Sequence, residues 1–275
     1  PGEGLHIMNA PVRARLLPDR VFKGSMNMAI DEAILDRAIT AGKSDCVTLR
    51  FYGWRPEAVS IGYGQKLPYP DRERIVERGF DLVKRPTGGR AVLHSGELTY
   101  SFVGHGVLLG GSIASAYDKI CQGLIAGLAE LGLEACLGQS SDRSYRDKAD
   151  CFLAITTADL KLDGFKLAGS AQLRRGDWIL QHGSILLNQP QDLMPSLLQG
   201  EANGETETFC RPRHCNLFDK LVAPLTVDAL VAVFSRGFEK TFSCSFVESE
   251  LFKDEMELAE SKASAYLIRS ASIKG

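Results

Sequence analysis

Apolar residues recur at helical spacing in four stretches of the chain. In residues 116–131 they fall at every third or fourth position, and Gly132, a residue type that commonly ends a helix, follows. The same spacing predicts helices over residues 25–39, with Ser25 as N-cap, over 226–242 and over 248–267. Cys121 falls within one apolar stripe and is therefore predicted to be a core residue rather than a reactive one.

Short apolar runs bounded by turn residues predict strands between these helices. In the run at residues 178–186, alternation places Gln181 and His182 on opposite faces, so that one of them points into any pocket there. Asp163-Gly164 is a typical two-residue hairpin turn and predicts a strand on each side of it. The irregular order of helices and strands predicts an α+β fold, with mixed or antiparallel sheets flanked by helices.

Composition and charge exclude some classes of partner. The 275 residues allow one large domain or two small ones, and 32 basic residues nearly balance 34 acidic residues. Such a balance gives no electrostatic signal for nucleic acid or for an anionic membrane surface. No run of 18 apolar residues occurs, so no membrane-spanning helix is predicted. We therefore expect neither nucleic acid nor a membrane as a partner.

The termini and the cysteines suggest a cellular location. The first residues, PGEGLHIM, lack the basic and apolar regions of a secretory signal, and we expect an added sequence up to Met8. Seven scattered cysteines fit reduced thiols in the cytoplasm better than a disulfide framework. Cys210, His214 and Cys215 lie close in sequence, but a zinc site needs a fourth ligand, so no metal is predicted.

A cysteine and a lysine stand 15 residues apart around the predicted hairpin. Cys151 precedes the two strands, and Lys166 begins the small-residue segment KLAGSA. A thiol reacts as the thiolate, and a nearby ammonium lowers the pKa of a cysteine from about 8.5. Adjacent strands can bring two such residues side by side. Taken alone, the pattern favours a buried, inert cysteine and a solvated lysine over a reactive pair.

A glycine-rich segment, KRPTGGRAVLH, occupies residues 84–94. It places Gly88 and Gly89 between Arg85 and Arg90. Paired glycines allow a backbone to approach a ligand closely, and guanidinium groups bind carbonyl or phosphate oxygens. The segment matches neither a P-loop nor a dinucleotide fingerprint. It predicts a binding loop of another kind, although many such loops are only tight turns.

Several separate motifs, in this order, resemble the lipoate–protein ligase A and octanoyltransferase family. They are MNMAIDEA (26–33), FYGW (51–54), SIGYGQ (60–65), the RPTGGR loop ending at His94, KLAGSAQ (166–172) and QHGSILL (181–187). The resemblance implies the biotin/lipoyl protein ligase catalytic-domain fold. It divides the chain into an N-terminal segment (1–20), a catalytic domain (21–247) and a C-terminal helix (248–275) without a separate accessory domain.

Within this family, DCF at residues 150–152 resembles the LipM-type octanoyltransferases, whereas ligases usually have asparagine at this place. The resemblance implies that Cys151 is an acyl-thioester nucleophile, and that Lys166 lowers its pKa and orients the acyl carbonyl. It also implies a substrate-binding set: Tyr63, Arg85, Thr87, Gly88, Gly89, Arg90, His94, Gly169, Ser170, Ala171 and His182. An apolar tunnel for the acyl chain is expected from Leu93, Ile155 and Leu167.

The implied reaction moves an octanoyl group from octanoyl-acyl carrier protein to a lysine of a lipoyl domain, such as the glycine cleavage H protein. It needs no metal, nucleotide or other cofactor. Two alternatives stay open within the family: an ATP-dependent lipoate–protein ligase, and an octanoyl amidotransferase acting between lipoyl domains. A non-catalytic protein that binds acyl groups or lipoyl domains is a third. Ser95, where aspartate is common, and Arg90, where ligases often have a third glycine, depart from the family pattern.

Overall fold

A mixed eight-stranded sheet and a smaller three-stranded sheet carry the helices. The computed structural model describes residues 12–65, 71–138, 159–190, 193–197 and 214–268. In chain order the elements are β1 (Arg13–Phe22), α1 (Gly24–Ala41), β2 (Cys46–Trp54), β3 (Ala58–Ile61), α2 (Arg72–Glu77), β4 (Asp81–Lys84), β5 (Val92–His94), β6 (Glu97–His105), α3 (Ile113–Glu130), β7 (Ala135–Leu137), β8 (Asp159–Leu162), β9 (Phe165–Arg175), β10 (Trp178–Leu186), α4 (Val227–Phe242), β11 (Phe246–Glu248) and α5 (Lys253–Tyr266). Short 3-10 helices occupy Gly106–Leu109, Pro195–Leu197 and Phe218–Lys220.

The strand order of the large sheet is β11-β1-β2-β6-β10-β9-β8-β7. Strand β1 runs parallel to both β11 and β2. Every other neighbouring pair in this order, from β2–β6 across to β8–β7, is antiparallel. In the small sheet, β3 lies between β4, which is parallel to it, and β5, which is antiparallel. The predicted α+β fold with mixed and antiparallel sheets is therefore confirmed.

Alternation along the central strands gives the large sheet two apolar faces. Phe102 and Ile179 belong to one core cluster, together with residues of α3 and α4. Their neighbours Val103 and Leu180 belong to a second cluster, together with residues of α1 and α5. Successive side chains of a strand point to opposite faces, so each face is covered by one pair of helices. The result is a helix–sheet–helix sandwich.

The small sheet has its own core, which includes Val59, Ile61, Leu82 and Leu93. Ile75 of α2 is fully buried in the same cluster. Because Val59 and Ile61 face this core, the residue between them in β3 faces the other way, toward the large sheet.

The predicted helices are present, with shifts at their ends. Helix α1 begins at Gly24 with Lys23 as N-cap, so Ser25 as N-cap was wrong. The first backbone N–H of α1 donates instead to the carboxylate of Asp81, at 3.1 Å. Helix α3 begins three residues earlier than predicted, at a capping box formed by Ser112 and Ser115.

The apolar spacing predicted the bounds of helix α4 well and the start of helix α5 poorly. Helix α4 ends at the predicted Phe242 and begins at Val227, one residue later than predicted, with the Thr226 hydroxyl accepting a hydrogen bond from its first turn. Helix α5 begins only at Lys253. The predicted helical start over residues 248–252 was wrong: Glu248 is the last residue of strand β11 (Phe246–Glu248), which pairs with β1, and residues 249–252 precede the helix.

The hairpin around Asp163 and Gly164 is confirmed. Both residues have positive φ, 52° and 82°, and Leu162 pairs with Phe165. Positive φ at both turn positions is what a type I′ turn requires, and glycine adopts it without steric cost. The turn fixes the register of β8 and β9, and with it the partners of Lys166.

Helices α3 and α4 approach closely at three glycines. A Cβ added to Gly237 would collide with backbone atoms of Gly123 and Gly127 on the facing helix. Backbone cannot move aside as a flexible side chain can, so this contact depends on the missing Cβ atoms.

We predict that Gly237→Ala lowers the free energy of unfolding by about 2 kcal/mol, because overpacking outweighs the gain of about 1 kcal/mol in helix propensity. Urea denaturation followed by circular dichroism measures this. Gly64→Ala is the control, since a Cβ there meets nothing within 4 Å and a change below about 0.5 kcal/mol is expected. A stabilised Gly237→Ala protein would contradict the packing argument.

Candidate active site

A pocket opens where the small sheet meets the middle of the large one. It is lined from both sheets and from α1. The lining residues are Met28, Tyr52, Trp54, Ser60, Arg85, Gly89, Val92, His94, Thr99, Asp159, Gly169, Ser170, Ala171, His182, Gly183 and Ser184. Apolar side chains and several titratable groups thus face the same space, which is typical of binding sites.

The glycine-rich segment forms one rim of the pocket and is held by Arg85. The buried guanidinium donates to the carbonyl oxygens of Gly88 at 2.8 Å and of Arg90 at 2.6 Å. It also donates to the carbonyl and the hydroxyl of Ser60, both at 3.1 Å. A planar donor group that satisfies several acceptors in fixed directions makes the loop a preformed wall.

Lys166 lies behind the opposite wall. Its side chain is fully buried, and its Nζ is 2.8 Å from Oδ1 of Asp159, which is 2% exposed and lines the pocket. A Cβ added to Gly169 would lie 3.2 Å from the lysine Nζ, so the ammonium group sits directly against this pocket-lining backbone. The pair places buried opposite charges beside the pocket.

Asp31 of α1 is the centre of a buried polar network. Its carboxylate accepts hydrogen bonds from Arg50 at 2.6 Å, Tyr52 at 2.8 Å and Ser101 at 2.9 Å, and lies 3.0 Å from Nδ1 of His182. Burial acts to raise the pKa of Asp31, but the Arg50 charge and the hydrogen bonds of His182 and Tyr52 hold it below its ordinary value. The carboxylate therefore stays ionised.

His182 connects this network to the glycine-rich segment. Its Nε2 lies 2.7 Å from the hydroxyl of Thr87, and the Thr87 carbonyl accepts a hydrogen bond from the backbone N–H of Tyr63. On the opposite face of β10, Gln181 donates to the hydroxyl of Tyr100, which in turn bonds the pocket-lining Ser170. The predicted opposition of Gln181 and His182 is confirmed, and His182 is the residue that faces the pocket.

His94 is held on three sides. Its Nε2 is 2.8 Å from the hydroxyl of Ser60, its Nδ1 is 3.3 Å from Oε1 of Glu97, and its ring stacks on Trp54 with a centroid distance of 3.7 Å. Burial lowers the pKa of His94, and the charges of Arg85 and His182 add to this, outweighing the opposite effect of Glu97. The ring is therefore neutral near pH 7.

The structure brings most of the predicted site residues together. Seven of them line the pocket: Arg85, Gly89, His94, Gly169, Ser170, Ala171 and His182. Thr87, Gly88 and Arg90 belong to the loop that forms its rim, and Lys166 lies behind Gly169. Tyr63 is 70% exposed beside the ammonium of Lys84 and is not one of the residues that line the pocket. Cys151 and Ile155 lie outside the described residues.

Three expectations about individual side chains have definite outcomes. Cys121 is fully buried and its pKa is raised to about 12 by burial, which confirms it as a core residue. Leu93 and Leu167 were wrong as pocket residues, because Leu93 packs in the small-sheet core and Leu167 in the core under α3 and α4. Val92, one position from Leu93, faces the pocket instead.

Sequence reasoning missed the buried carboxylates of Asp31, Glu97 and Asp159. Each is a charged residue next to apolar positions, and Asp31 is one helical turn after the buried Met28. A charge on the apolar face of a predicted helix was the available signal, since such a group needs a buried partner. Arg50, between Leu49 and Phe51 in β2, gave the matching signal.

The described part of the chain contains neither a candidate metal centre nor a candidate membrane span. No three His, Cys, Asp or Glu side chains there are arranged to hold a metal ion. No helix within those ranges is long and apolar enough to cross a bilayer.

Known proteins are similar to this chain in sequence and in architecture. The lipoyl protein ligase A/B catalytic domain matches residues 23–239. The octanoyltransferase LipM of Symbiobacterium thermophilum is 38% identical over 263 residues, which are 91% of this chain and 94% of that protein. The octanoyltransferase LipM of Carboxydothermus hydrogenoformans is 37% identical over 244 residues, 86% of this chain and 90% of that protein.

Solved structures agree with the sequence relatives. A lipoate-protein ligase A crystal structure with bound ATP has a TM-score of 0.74 at 26% identity and covers 92% of this chain and 94% of its own. A bi-partite lipoate protein ligase from Thermoplasma acidophilum, studied with its E2 lipoyl domain, has a TM-score of 0.74 at 25% identity and covers 92% of both chains.

The buried Lys166–Asp159 pair gives a stability prediction. Asp159→Asn removes the carboxylate that faces a fully buried ammonium, and we expect the free energy of unfolding to fall by about 3 kcal/mol. The control is Asp163→Asn in the same hairpin, whose pair with Lys220 has the same 2.8 Å distance but a 62% exposed carboxylate. There the expected loss is below about 1 kcal/mol. Equal losses in urea denaturation would contradict the difference in burial.

A second prediction concerns stability at acidic pH. Burial, and then the charge of Lys166, lower the pKa of His214 to about 4, and the pKa of His94 is also lowered. As the pH falls, histidines of the unfolded chain bind protons near pH 6.5, whereas these two histidines of the folded protein bind them only at lower pH. The free energy of unfolding should therefore fall as pH decreases from about 6.5 to about 4.

Urea denaturation of the wild type and His214→Gln at about pH 7.5 and about pH 4.5 tests this. Both histidines are neutral at the higher pH, so that comparison measures the lost contacts alone. The variant should lose less stability between the two pH values than the wild type. An equal loss would mean that His214 does not contribute to the acid sensitivity.

Proposed function

This chain belongs to the lipoyl protein ligase A/B catalytic-domain family, and on that premise we propose that it is an octanoyltransferase of protein lipoylation. Its donor is octanoyl-acyl carrier protein, and its acceptor is a lysine of a lipoyl domain such as the glycine cleavage H protein. The observation that carries the proposal is the likeness to octanoyltransferases LipM over about nine-tenths of the chain. The E2 lipoyl domain studied with the Thermoplasma ligase supports a lipoyl domain as the acceptor.

Cys151 is the proposed nucleophile. It precedes the pocket-lining Asp159 by eight residues in the sequence. The ammonium of Lys166, which lies next to the pocket-lining backbone of Gly169, is the charge that would stabilise the thiolate. The ion pair with Asp159 keeps that ammonium in place.

The transfer proceeds in two steps. The Cys151 thiolate attacks the carbonyl carbon of the donor thioester, a new C–S bond forms, and the carrier thiol leaves after taking a proton. The acceptor lysine, as the free amine, then attacks the enzyme thioester. An amide bond forms, the Cys151 sulfur leaves as thiolate, and the amine loses a proton. Splitting one transfer in this way is covalent catalysis with ping-pong kinetics.

The pocket suits the acyl group. Met28, Trp54 and Val92 offer apolar surface for the chain, and the Arg85-held loop offers polar groups at its rim. A developing oxyanion is best stabilised by donors fixed in advance, and the loop backbone around Gly89 is held in that manner.

Intact-mass spectrometry after incubation with octanoyl-acyl carrier protein, without ATP, tests the proposal. We expect an octanoyl adduct that hydroxylamine removes, that is absent from Cys151→Ala and that persists in the matched control Cys136→Ala, in which an exposed cysteine is removed. Addition of a lipoyl domain should then discharge the adduct onto that domain.

Two other results would contradict the proposal and support another activity of this family. If the enzyme forms no adduct, and the lipoyl domain is labelled only with free octanoate or lipoate and ATP, the chain is a ligase. If only an octanoylated lipoyl domain serves as donor, it is an amidotransferase.

A further inference from the structure

Ser60 is a hydroxyl in a strand that is otherwise apolar and entirely buried. Its neighbours Val59 and Ile61 pack in the small-sheet core, whereas Ser60 points the other way and lines the pocket. The side chain is not part of the proposed transfer by Cys151. A buried hydroxyl in such a position needs hydrogen-bond partners, and the partners here are those that activate a serine.

The partners form a chain of three groups. The Ser60 Oγ lies 2.8 Å from Nε2 of His94, and the other ring nitrogen, Nδ1, lies 3.3 Å from the carboxylate of Glu97, whose side chain is 1% exposed. With a carboxylate at Nδ1, the neutral ring carries its proton there and presents a bare Nε2. Ser60 therefore donates its proton to His94, as the nucleophile does in a serine–histidine–carboxylate triad.

The remaining contacts hold these groups in position. Trp54 stacks on the His94 ring at 3.7 Å, and Glu97 accepts hydrogen bonds from the hydroxyls of Thr99 and Ser184. Arg85 places Nη1 at 3.1 Å from the Ser60 oxygen, so a positive charge stands where the serine develops negative charge.

We propose that Ser60 is a second nucleophile in this pocket, with His94 as its general base and Glu97 as the group that orients the histidine, and that it hydrolyses small aliphatic acyl thioesters and activated esters. The activity goes beyond the proposed octanoyl transfer and does not require Cys151.

The chemistry balances with water as the second substrate. The Ser60 Oγ–H proton moves to Nε2 of His94 while Oγ bonds to the acyl carbon, and the leaving thiol or phenol departs with that proton. Water then attacks the serine ester, His94 accepts a proton from it, and the acid is released as Ser60 recovers its hydrogen. The result is one carboxylic acid and one thiol or phenol.

A second hydroxyl–histidine–carboxylate chain, Thr87–His182–Asp31, is less suited to this chemistry. Thr87 is not one of the residues that line the pocket, and the charge of Asp31 is already engaged by Arg50 at 2.6 Å. In contrast, both Ser60 and His94 line the pocket.

The test uses the 275-residue chain carrying Cys151→Ala, so that it is independent of the transferase proposal. An alkyl fluorophosphonate is added, and the modified residue is mapped by peptide mass spectrometry. Hydrolysis of p-nitrophenyl octanoate is measured on the same protein. Ser60→Ala is compared with Ser95→Ala, which removes another buried hydroxyl, bonded to Glu57 outside the pocket.

We expect the probe on Ser60, and hydrolysis that falls about a hundredfold in Ser60→Ala but not in Ser95→Ala. Because the mapping uses the intact serine, the test holds even if Ser60→Ala folds poorly. A probe attached elsewhere, no attachment to the folded protein, or a folded Ser60→Ala that hydrolyses at the unchanged rate overturns the proposal.

Discussion

The hydrogen bonds and ion pair of one buried carboxylate fix how helix α1 packs on the large sheet at the pocket. Asp31 on α1 contacts Arg50 on β2, Ser101 on β6 and His182 on β10, which are consecutive strands of the large sheet. A buried ionised group has no water to bind, so it depends on its protein partners. Removing one partner leaves the desolvation of the charge uncompensated, which costs several kcal/mol. The helix can therefore neither rotate nor slide relative to these strands. Met28, one turn before Asp31, is held against the pocket by the same contacts.

Arg85 performs the equivalent task for the small sheet. Its donors reach two carbonyls of the glycine-rich loop and both oxygens of Ser60, so the loop and strand β3 form one rigid unit. His182 joins the two units, since it contacts Asp31 on one side and Thr87 on the other. The walls of the pocket are thus positioned before any acyl group arrives, which is the condition for electrostatic stabilisation without reorganisation.

The sequence predicted those features that depend on neighbours along the chain. Helical spacing located α3 and α4, and Asp163-Gly164 located the hairpin, because both signals act within a few residues. The pocket loop and Lys166 were found through motifs shared with a family to which the chain belongs.

The features that were missed depend on residues far apart in the chain. The partners of Asp31 lie on strands up to 151 residues away in the chain, so no local pattern identifies them. Strand β11 has only three residues, and it exists because β1 offers an edge. That edge has a further consequence, since Ala14 pairs with Phe246 about 230 residues later. During synthesis β1 leaves the ribosome long before β11, and one side of it stays unpaired until about 230 further residues have been made. An unpaired strand edge can pair with other chains, so the later strand β11, by covering this edge, also protects β1 against aggregation.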